Sequence, residues 1–346
     1  MAVRFVIFRS AHLEWVVKMK DQFDRTIDYL RISITDRCNL RCIYCMPEGI
    51  DLETHDDILR FEEFLRICRI AVSLGITKFK ITGGEPLVRR GCTDFVAAMK
   101  AVPGVEQVTM TTNGLLLPMH LNAVCGAGLD GVNISLDSLD PDTFAALTGS
   151  SPAMLGKLRE NILACVARGL RVKINSVMLD RNFQQLPDIV QLAGEVPIDV
   201  RFIELMPIGE GQHMQGGSMD DALALFRRRW PDLRPTDETR GNGPARYFKS
   251  DKLLGRVGFI SAMSHEFCGG CNRVRLTAKG MLKPCLCYEA GVDLRAPLRR
   301  RDAEPGDIEA ELYALIQSCI LHKPQQHHFR DSDAITEHKS MHEIGG

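Results

Sequence analysis

The stretch Leu30-Arg-Ile-Ser-Ile-Thr-Asp-Arg-Cys-Asn-Leu-Arg-Cys-Ile-Tyr-Cys45 decides how this chain is read. Its first residues, Leu30 to Thr35, form a short β-type run. That run feeds into a C-x3-C-x2-C loop, so Cys38, Cys42 and Cys45 offer three thiols from one segment at a strand end. Zinc usually wants four tetrahedral ligands. A [4Fe–4S] cluster also commonly takes four cysteines, so three leave one iron open to a group that is not protein. Spacing alone leaves a zinc knuckle open, with His55 the nearest histidine. The iron alternative implies redox chemistry at the strand end.

Composition narrows the class. The 346 residues, 45% hydrophobic and 25% charged, hold one large domain, or a domain with an appendage, around an ample core. A formal net charge of −1 provides no global field to hold nucleic acid. Twelve cysteines in so long a chain, clustered asymmetrically, fit metal binding in a reducing compartment better than a disulfide framework. No apolar stretch reaches the roughly 20 residues needed to span a bilayer. Met1 to Lys20 mixes charged and apolar residues and lacks a signal-peptide core, so the expected location is the cytoplasm.

Outward from the cysteine loop, helix and strand signals alternate. Helices are expected over Phe61–Gly75, Asp94–Ala101, Pro118–Gly126, Pro152–Arg168 and Phe183–Gly194. Strands are expected over Lys78–Thr82, Gln107–Thr112, Gly131–Leu136, Arg171–Leu179 and Asp199–Leu205. With the first run this makes six strands and predicts parallel βαβ units. The fold class is α/β, a partial (β/α)6, TIM-like barrel, with its chemistry at the C-terminal strand ends. After Pro207 the alternation breaks. Gly- and polar-rich sequence runs to Gly243, followed by a second cysteine cluster and a helix near Ile308–Cys319. The expected division is an N-terminal extension over 1–22, disordered or an artefact of start-site choice, a barrel core over 23–207, and a C-terminal module over 208–346.

The second predicted strand ends in Gly83-Gly84-Glu85-Pro86, where missing Cβ atoms let backbone approach a ligand. Alone, this is an ordinary strand-to-helix turn. Together with the cysteine loop it resembles the radical S-adenosylmethionine superfamily. In that superfamily the three cysteines hold a [4Fe–4S] cluster whose open iron binds the methionine moiety.

The second cluster, Cys268-Gly-Gly-Cys271 with Cys285, also shows three ligands, and Cys287 stands nearby as a fourth thiol. On spacing alone a zinc ribbon fits it. Arg273 and Arg275, alternating in extended chain, put two guanidinium groups on one face, which suits phosphate or a solvated strand face. Here the resemblance sharpens to the GTP 3′,8-cyclase family of molybdenum-cofactor biosynthesis. It rests on Tyr29 to Cys42, Ile81 to Leu87, Thr111-Thr-Asn-Gly114, Asn133-Ile-Ser-Leu-Asp137, Arg201-Phe-Ile-Glu-Leu-Met-Pro207, Phe267 to Arg275, and the terminal Gly345-Gly346. It runs from about Phe23 to the C-terminus.

The resemblance implies two [4Fe–4S] clusters, on Cys38, Cys42 and Cys45 and on Cys268, Cys271 and Cys285. It implies S-adenosylmethionine beside Tyr44, Gly84, Ser135 and Met206. GTP is implied among Arg31, Lys80, Thr111, Lys173, Arg273, Val274 (through its backbone) and Arg275. Catalytic roles fall on Arg31, Gly345 and Gly346, the last two as a flexible tail entering the site. The implied activity is formation of 3′,8-cyclo-7,8-dihydro-GTP by a 5′-deoxyadenosyl radical. Implied partners are an electron donor such as flavodoxin or ferredoxin and, downstream, cyclic pyranopterin monophosphate synthase, with a homodimer as one option for assembly and neither nucleic acid nor membrane involved. Asp24 stands where the family commonly has glycine, Lys80 where it often has arginine, and Cys287 is expected to be a bystander. Two rivals remain: a radical S-adenosylmethionine peptide or protein maturase with an auxiliary cluster, and a zinc-binding module on nucleic acid.

Overall fold

A computed structural model describes residues 18–46 and 52–345. The barrel strands are β1 (Tyr29–Ser33), β2 (Lys78–Thr82), β3 (Gln107–Thr112), β4 (Gly131–Ser135), β5 (Val172–Met178) and β6 (Asp199–Glu204). The C-terminal part adds β7 (Arg234–Thr236), β8 (Arg246–Lys249), β9 (Val257–Ile260), β10 (Arg273–Leu276), β11 (Met281–Lys283) and β12 (Val292–Asp293). Helices α1 (Phe61–Ser73), α2 (Cys92–Lys100), α3 (Leu117–Gly126), α4 (Pro141–Thr148), α5 (Ala153–Ala167) and α6 (Leu186–Glu195) interleave with the barrel strands, and α7 (Met219–Arg227), α8 (Arg295–Leu298) and α9 (Pro305–Leu321) follow.

The described strands form one twelve-stranded sheet in the order β12-β11-β10-β1-β2-β3-β4-β5-β6-β9-β8-β7. The six expected strands lie side by side in sequence order and parallel. The C-terminal module is less separate than its sequence implies. Its β10 pairs in parallel with β1 and its β9 in parallel with β6, so the module extends the barrel at both edges.

Register explains the layering. Val274, Leu30, Phe79 and Val108 stand in line across β10, β1, β2 and β3; beyond them Val132 of β4 pairs with Val172 of β5, and Val200 of β6 pairs with Val257 of β9. All eight are buried in the main core. Successive side chains in a strand point to opposite faces. The residues between these apolar positions therefore face the barrel interior, and many of them are polar or charged.

α4 is absent from the sequence expectations although its signals are present. Asp140 caps it through the Thr143 N–H at 2.8 Å, Pro141 opens it, and Gly149 ends it at φ +64°. Residues 1–17 of the expected extension lie outside the described residues. Met19 to Gln22 belong to the fold: the Met19 carbonyl accepts the Ile27 N–H at 3.0 Å, and Asp21 is buried against Arg25 at 2.6 Å.

Candidate active site

The first cysteine loop takes its position from two neighbours. It continues from the end of β1, and its backbone is fastened to α4 by Arg41 N–H to Thr148 (2.8 Å) and Ile43 N–H to Leu147 (3.0 Å). Beside it, a Cβ on Gly84 would sit 2.5 Å from the Arg37 carbonyl oxygen, and one on Gly83 would sit 2.7 Å from that of Thr35. Only glycine permits this approach of strand end to cysteine loop.

Acids gather at this end. Glu85, fully buried, accepts the Leu87 N–H (3.0 Å), the Thr112 hydroxyl (2.8 Å) and the Asn113 N–H (2.6 Å), which ties the end of β2 to that of β3. Burial pushes its carboxyl up to about 7. Asp137 accepts the Tyr44 hydroxyl at 2.7 Å and the Val177 N–H at 2.8 Å, and burial raises it to about 6. Glu204 accepts N–H bonds from Met219 (2.9 Å), Met263 and Ser264 (both 2.8 Å), joining β6 to the C-terminal module. Burial pushes all three thiols up. Burial, then the neighbouring Cys38 and Asp137, takes Cys45 to about 12, and Cys42 is pushed well above its ordinary value by burial and Cys45.

The second triad lies at the opposite end. Because β10 runs parallel to β1 and starts opposite Tyr29, Cys268 and Cys271 precede it at the N-terminal ends of the parallel strands. Cys285 follows β11, which is antiparallel to β10, and so returns to the same end. One cavity is lined by both triads and by the barrel wall between them. Here the electrostatics reverse. Burial pushes the Cys271 thiol up, but Lys323, Arg273 and their hydrogen bonds outweigh it and bring the thiol down to about 7. Arg25 secures this end by donating to the carbonyls of Cys268 (2.9 Å), Gln325 (2.8 Å) and Pro324 (2.7 Å). The turn that delivers Arg25 holds Asp24 at φ +63°, which accounts for the glycine expected there. Cys287 does not line the cavity and packs in an apolar cluster with Ile208, Phe329 and Ile344.

Between the ends the wall is cationic. Eight Lys and Arg side chains line the cavity against three Asp and Glu, so its interior is net positive. Arg31 stands in register with Arg275 on one side and Lys80 on the other. Burial, with Arg201 and Arg31 nearby, depresses Lys80 well below its ordinary value. Burial and Arg201 bring Lys173 to about 7 against the opposing Asp199, which lies 3.8 Å away. Burial, then Arg31 and Arg273, brings Arg275 to about 9. The Nε atoms of Arg201 and Arg273 have no hydrogen-bond partner. Buried cations short of counter-charge are costly, and a polyanion is the ligand that offsets that cost.

The C-terminal tail enters this interior. Ile344 is fully buried, and the Gly345 carbonyl accepts Arg275 Nη1 at 3.0 Å. Gly345 has φ +75°, and a Cβ there would lie 3.0 Å from Ser33 Cβ, so both conformation and space call for glycine. The base of the tail is pinned by the buried Lys283–Glu337 ion pair, and His342 Nδ1 lies 3.2 Å from the Cys45 carbonyl oxygen. Gly346 lies outside the described residues.

Of the residues singled out in the sequence, all six cluster cysteines and Tyr44, Gly84, Ser135, Met206, Arg31, Lys80, Thr111, Lys173, Arg273 and Arg275 line the one cavity. Val274 packs in the apolar core and is not among the residues that line the cavity. Sequence reasoning missed Arg201, Asn175, Lys323 and His327, which also line it. Arg201 Nη2 donates to Asn175 Oδ1 at 2.5 Å. Its signal is the alternation Val200-Arg201-Phe202, which puts Arg201 opposite two core residues.

The donor set fits two clusters. All twelve cysteines are free thiols, and three at each end face one cavity. Among the described residues no three His, Cys, Asp or Glu side chains are placed to share a single metal ion. A triad that gives one thiolate to each of three irons has no such requirement.

Residues 32–193 match the Radical SAM superfamily, and residues 198–329 match Molybdenum Cofactor Synthesis C. The chain is similar to a GTP 3′,8-cyclase of Heliobacterium modesticaldum, 47% identical over 337 residues that cover 95% of this chain and all of the relative. It is 43% identical to the enzyme of that name from Petrotoga mobilis and 41% identical to that from Clostridium perfringens, with the same coverage. Streptococcus suis SuiB bound to S-adenosylmethionine shares the fold, with a TM-score of 0.61 at 15% identity over 92% of this chain and 77% of that one.

Proposed function

This chain belongs to the GTP 3′,8-cyclase family, and we propose that its two cysteine triads serve as two ends of one reaction chamber. Cys38, Cys42 and Cys45 hold a [4Fe–4S] cluster at the acid-lined end, with S-adenosylmethionine beside Tyr44, Gly84, Ser135 and Met206. When bound, that cluster supplies the electron that splits the sulfonium C–S bond of S-adenosylmethionine. Cys268, Cys271 and Cys285 hold the second cluster at the end nearest the base of GTP. The observation that carries this reading is the single cavity joining both triads through a wall of cations.

In this reading the wall does three things. Arg31, Lys80, Lys173, Arg273 and Arg275 neutralise the triphosphate, and their fixed positions orient the ribose toward the acid-lined end. The enclosed interior excludes water and foreign hydrogen donors from the carbon radical. Arg31 and Gly345 stand at the reacting end, where the Gly345 carbonyl accepts a hydrogen bond from Arg275. The 5′-deoxyadenosyl radical takes the hydrogen atom from C3′ of GTP, and the C3′ radical adds to C8. One electron and one proton then complete 3′,8-cyclo-7,8-dihydro-GTP.

The division of labour we assign places radical formation in residues 23–207 and nucleotide binding mainly in 208–346. The family boundary between residues 193 and 198 supports a split near there. Among the described residues no helix is long and apolar enough to cross a membrane. In the same proposal the enzyme works in the cytoplasm and takes its electron from a flavodoxin- or ferredoxin-like donor. A homodimer and hand-over of product to cyclic pyranopterin monophosphate synthase belong to the same proposal. A peptide maturase would need a peptide-binding face in place of the buried cations. Anaerobic turnover with GTP, S-adenosylmethionine and reductant tests the reading. It expects 5′-deoxyadenosine formed together with the cyclised nucleotide, and intact clusters yielding no such product would refute it.

A further inference from the structure

His327 is a polar side chain at the second end that neither the triad nor the phosphate-binding wall uses. It lies beyond α9, lines the cavity and is 5% exposed. Its backbone N–H hydrogen-bonds the Cys268 sulfur, which fixes it beside the second triad. Its ring packs on Phe329 with centroids 4.4 Å apart, and its Nδ1 accepts the Phe329 N–H at 3.4 Å. With Nδ1 as acceptor, the neutral imidazole carries its proton on Nε2. That Nε2 is buried and has no partner. A native fold rarely leaves such a donor unused, and one that lines a cavity is available to a ligand or to water.

The reaction sets which edge of the base this donor meets, granted the reading that GTP binds here. C8 and C3′ must face the end where the radical forms. The six-membered ring of guanine, opposite C8, then faces the second triad. That edge offers the 6-oxo group as an acceptor, whereas adenine presents a 6-amino donor at the same place. We propose that His327 Nε2–H donates to the 6-oxo group of the purine and is a specificity-determining residue that selects 6-oxopurine over 6-aminopurine triphosphates. A buried donor facing the wrong group discriminates strongly because one partner is left unpaired.

The test is equilibrium binding of GTP, ITP and ATP to the cluster-loaded protein, with iron counted for each variant. ITP keeps the 6-oxo group and lacks the 2-amino group. Wild type should favour GTP and ITP over ATP. His327→Phe should lose about tenfold or more on GTP and ITP with ATP unchanged, and His327→Gln, whose amide also donates, should keep most of the preference. An unchanged GTP-to-ATP ratio in His327→Phe, or equal weakening of all three nucleotides, would overturn the proposal. If His327→Phe loads fewer than about eight irons per chain, His327→Gln decides: loss of the preference with full iron overturns it and retention supports it. Failure of wild type to bind GTP would sink the underlying assignment of substrate instead.

Discussion

The two ends of the barrel hold the same number of thiols in opposite electrostatic surroundings. At the C-terminal strand ends the thiols share space with Asp137 and Glu204, and Cys45 is raised to about 12. At the N-terminal ends Lys323 and Arg273 lower Cys271 to about 7. S-adenosylmethionine carries a sulfonium cation and GTP a triphosphate polyanion. An acid-lined end suits the first and a cationic wall the second, which supports the proposed placing of each ligand. Two similar triads are told apart by their surroundings, not by their cysteines.

Removing one triad at a time would break this comparison most severely. Cys42→Ala should abolish cleavage of S-adenosylmethionine while leaving GTP binding measurable. Cys271→Ala should leave uncoupled 5′-deoxyadenosine formation and yield no cyclised product, as read by chromatography. If either substitution silenced both functions in a folded protein, the ends would not be separable. Next in size, Arg273→Ala or Arg275→Ala should each cost about 1.5–3 kcal/mol in GTP binding, roughly tenfold to a hundredfold, with S-adenosylmethionine affinity unchanged. Calorimetry with each ligand would expose any crossover. Asp137→Asn is the mirror experiment: affinity for S-adenosylmethionine should fall by a few fold, with GTP unaffected.

The smallest effect is a pair of opposed pH slopes. Lys173, near 7 when free, must be protonated to meet phosphate, so its value rises on binding and a proton is taken up. GTP affinity should therefore fall as pH rises above about 7. Asp137, near 6, loses its negative charge as pH falls through that value, so S-adenosylmethionine should weaken below about 6. Titrations across pH 5.5–8.5 would check both slopes, and parallel ones would contradict the charge argument.

The strand–helix alternation from Lys78 to Glu204 was legible because each element carries its own local period. The place of β9 and β10 was not. Each is four residues long, and Arg273 meets Tyr29 only across most of the chain. Non-local pairing leaves no local mark. α4 was overlooked although Asp140, Pro141 and Gly149 announce it, and it proves to be the support of the first cysteine loop. The cluster cysteines are visible as spacing. Arg201 and His327 are less so: Arg201 alternates with core residues as any polar strand position does and shares β6 with Asp199 and Glu204, and His327 is one of two adjacent histidines. Which of them faces the cavity is decided by folding.

The pairing of β1 with β10 has a mechanical consequence. One strand leads into the first triad and its neighbour leads out of the second, and Tyr29↔Arg273 through Ile32↔Leu276 lock them side by side. Together they act as a caliper whose jaws are the two cysteine sets and whose opening is counted in residues of backbone. Point substitutions change what the jaws grip but not how far apart they stand. A single residue inserted within β1 would lengthen that arm by about 3.3 Å. It would also turn Arg31 or its successors out of the chamber.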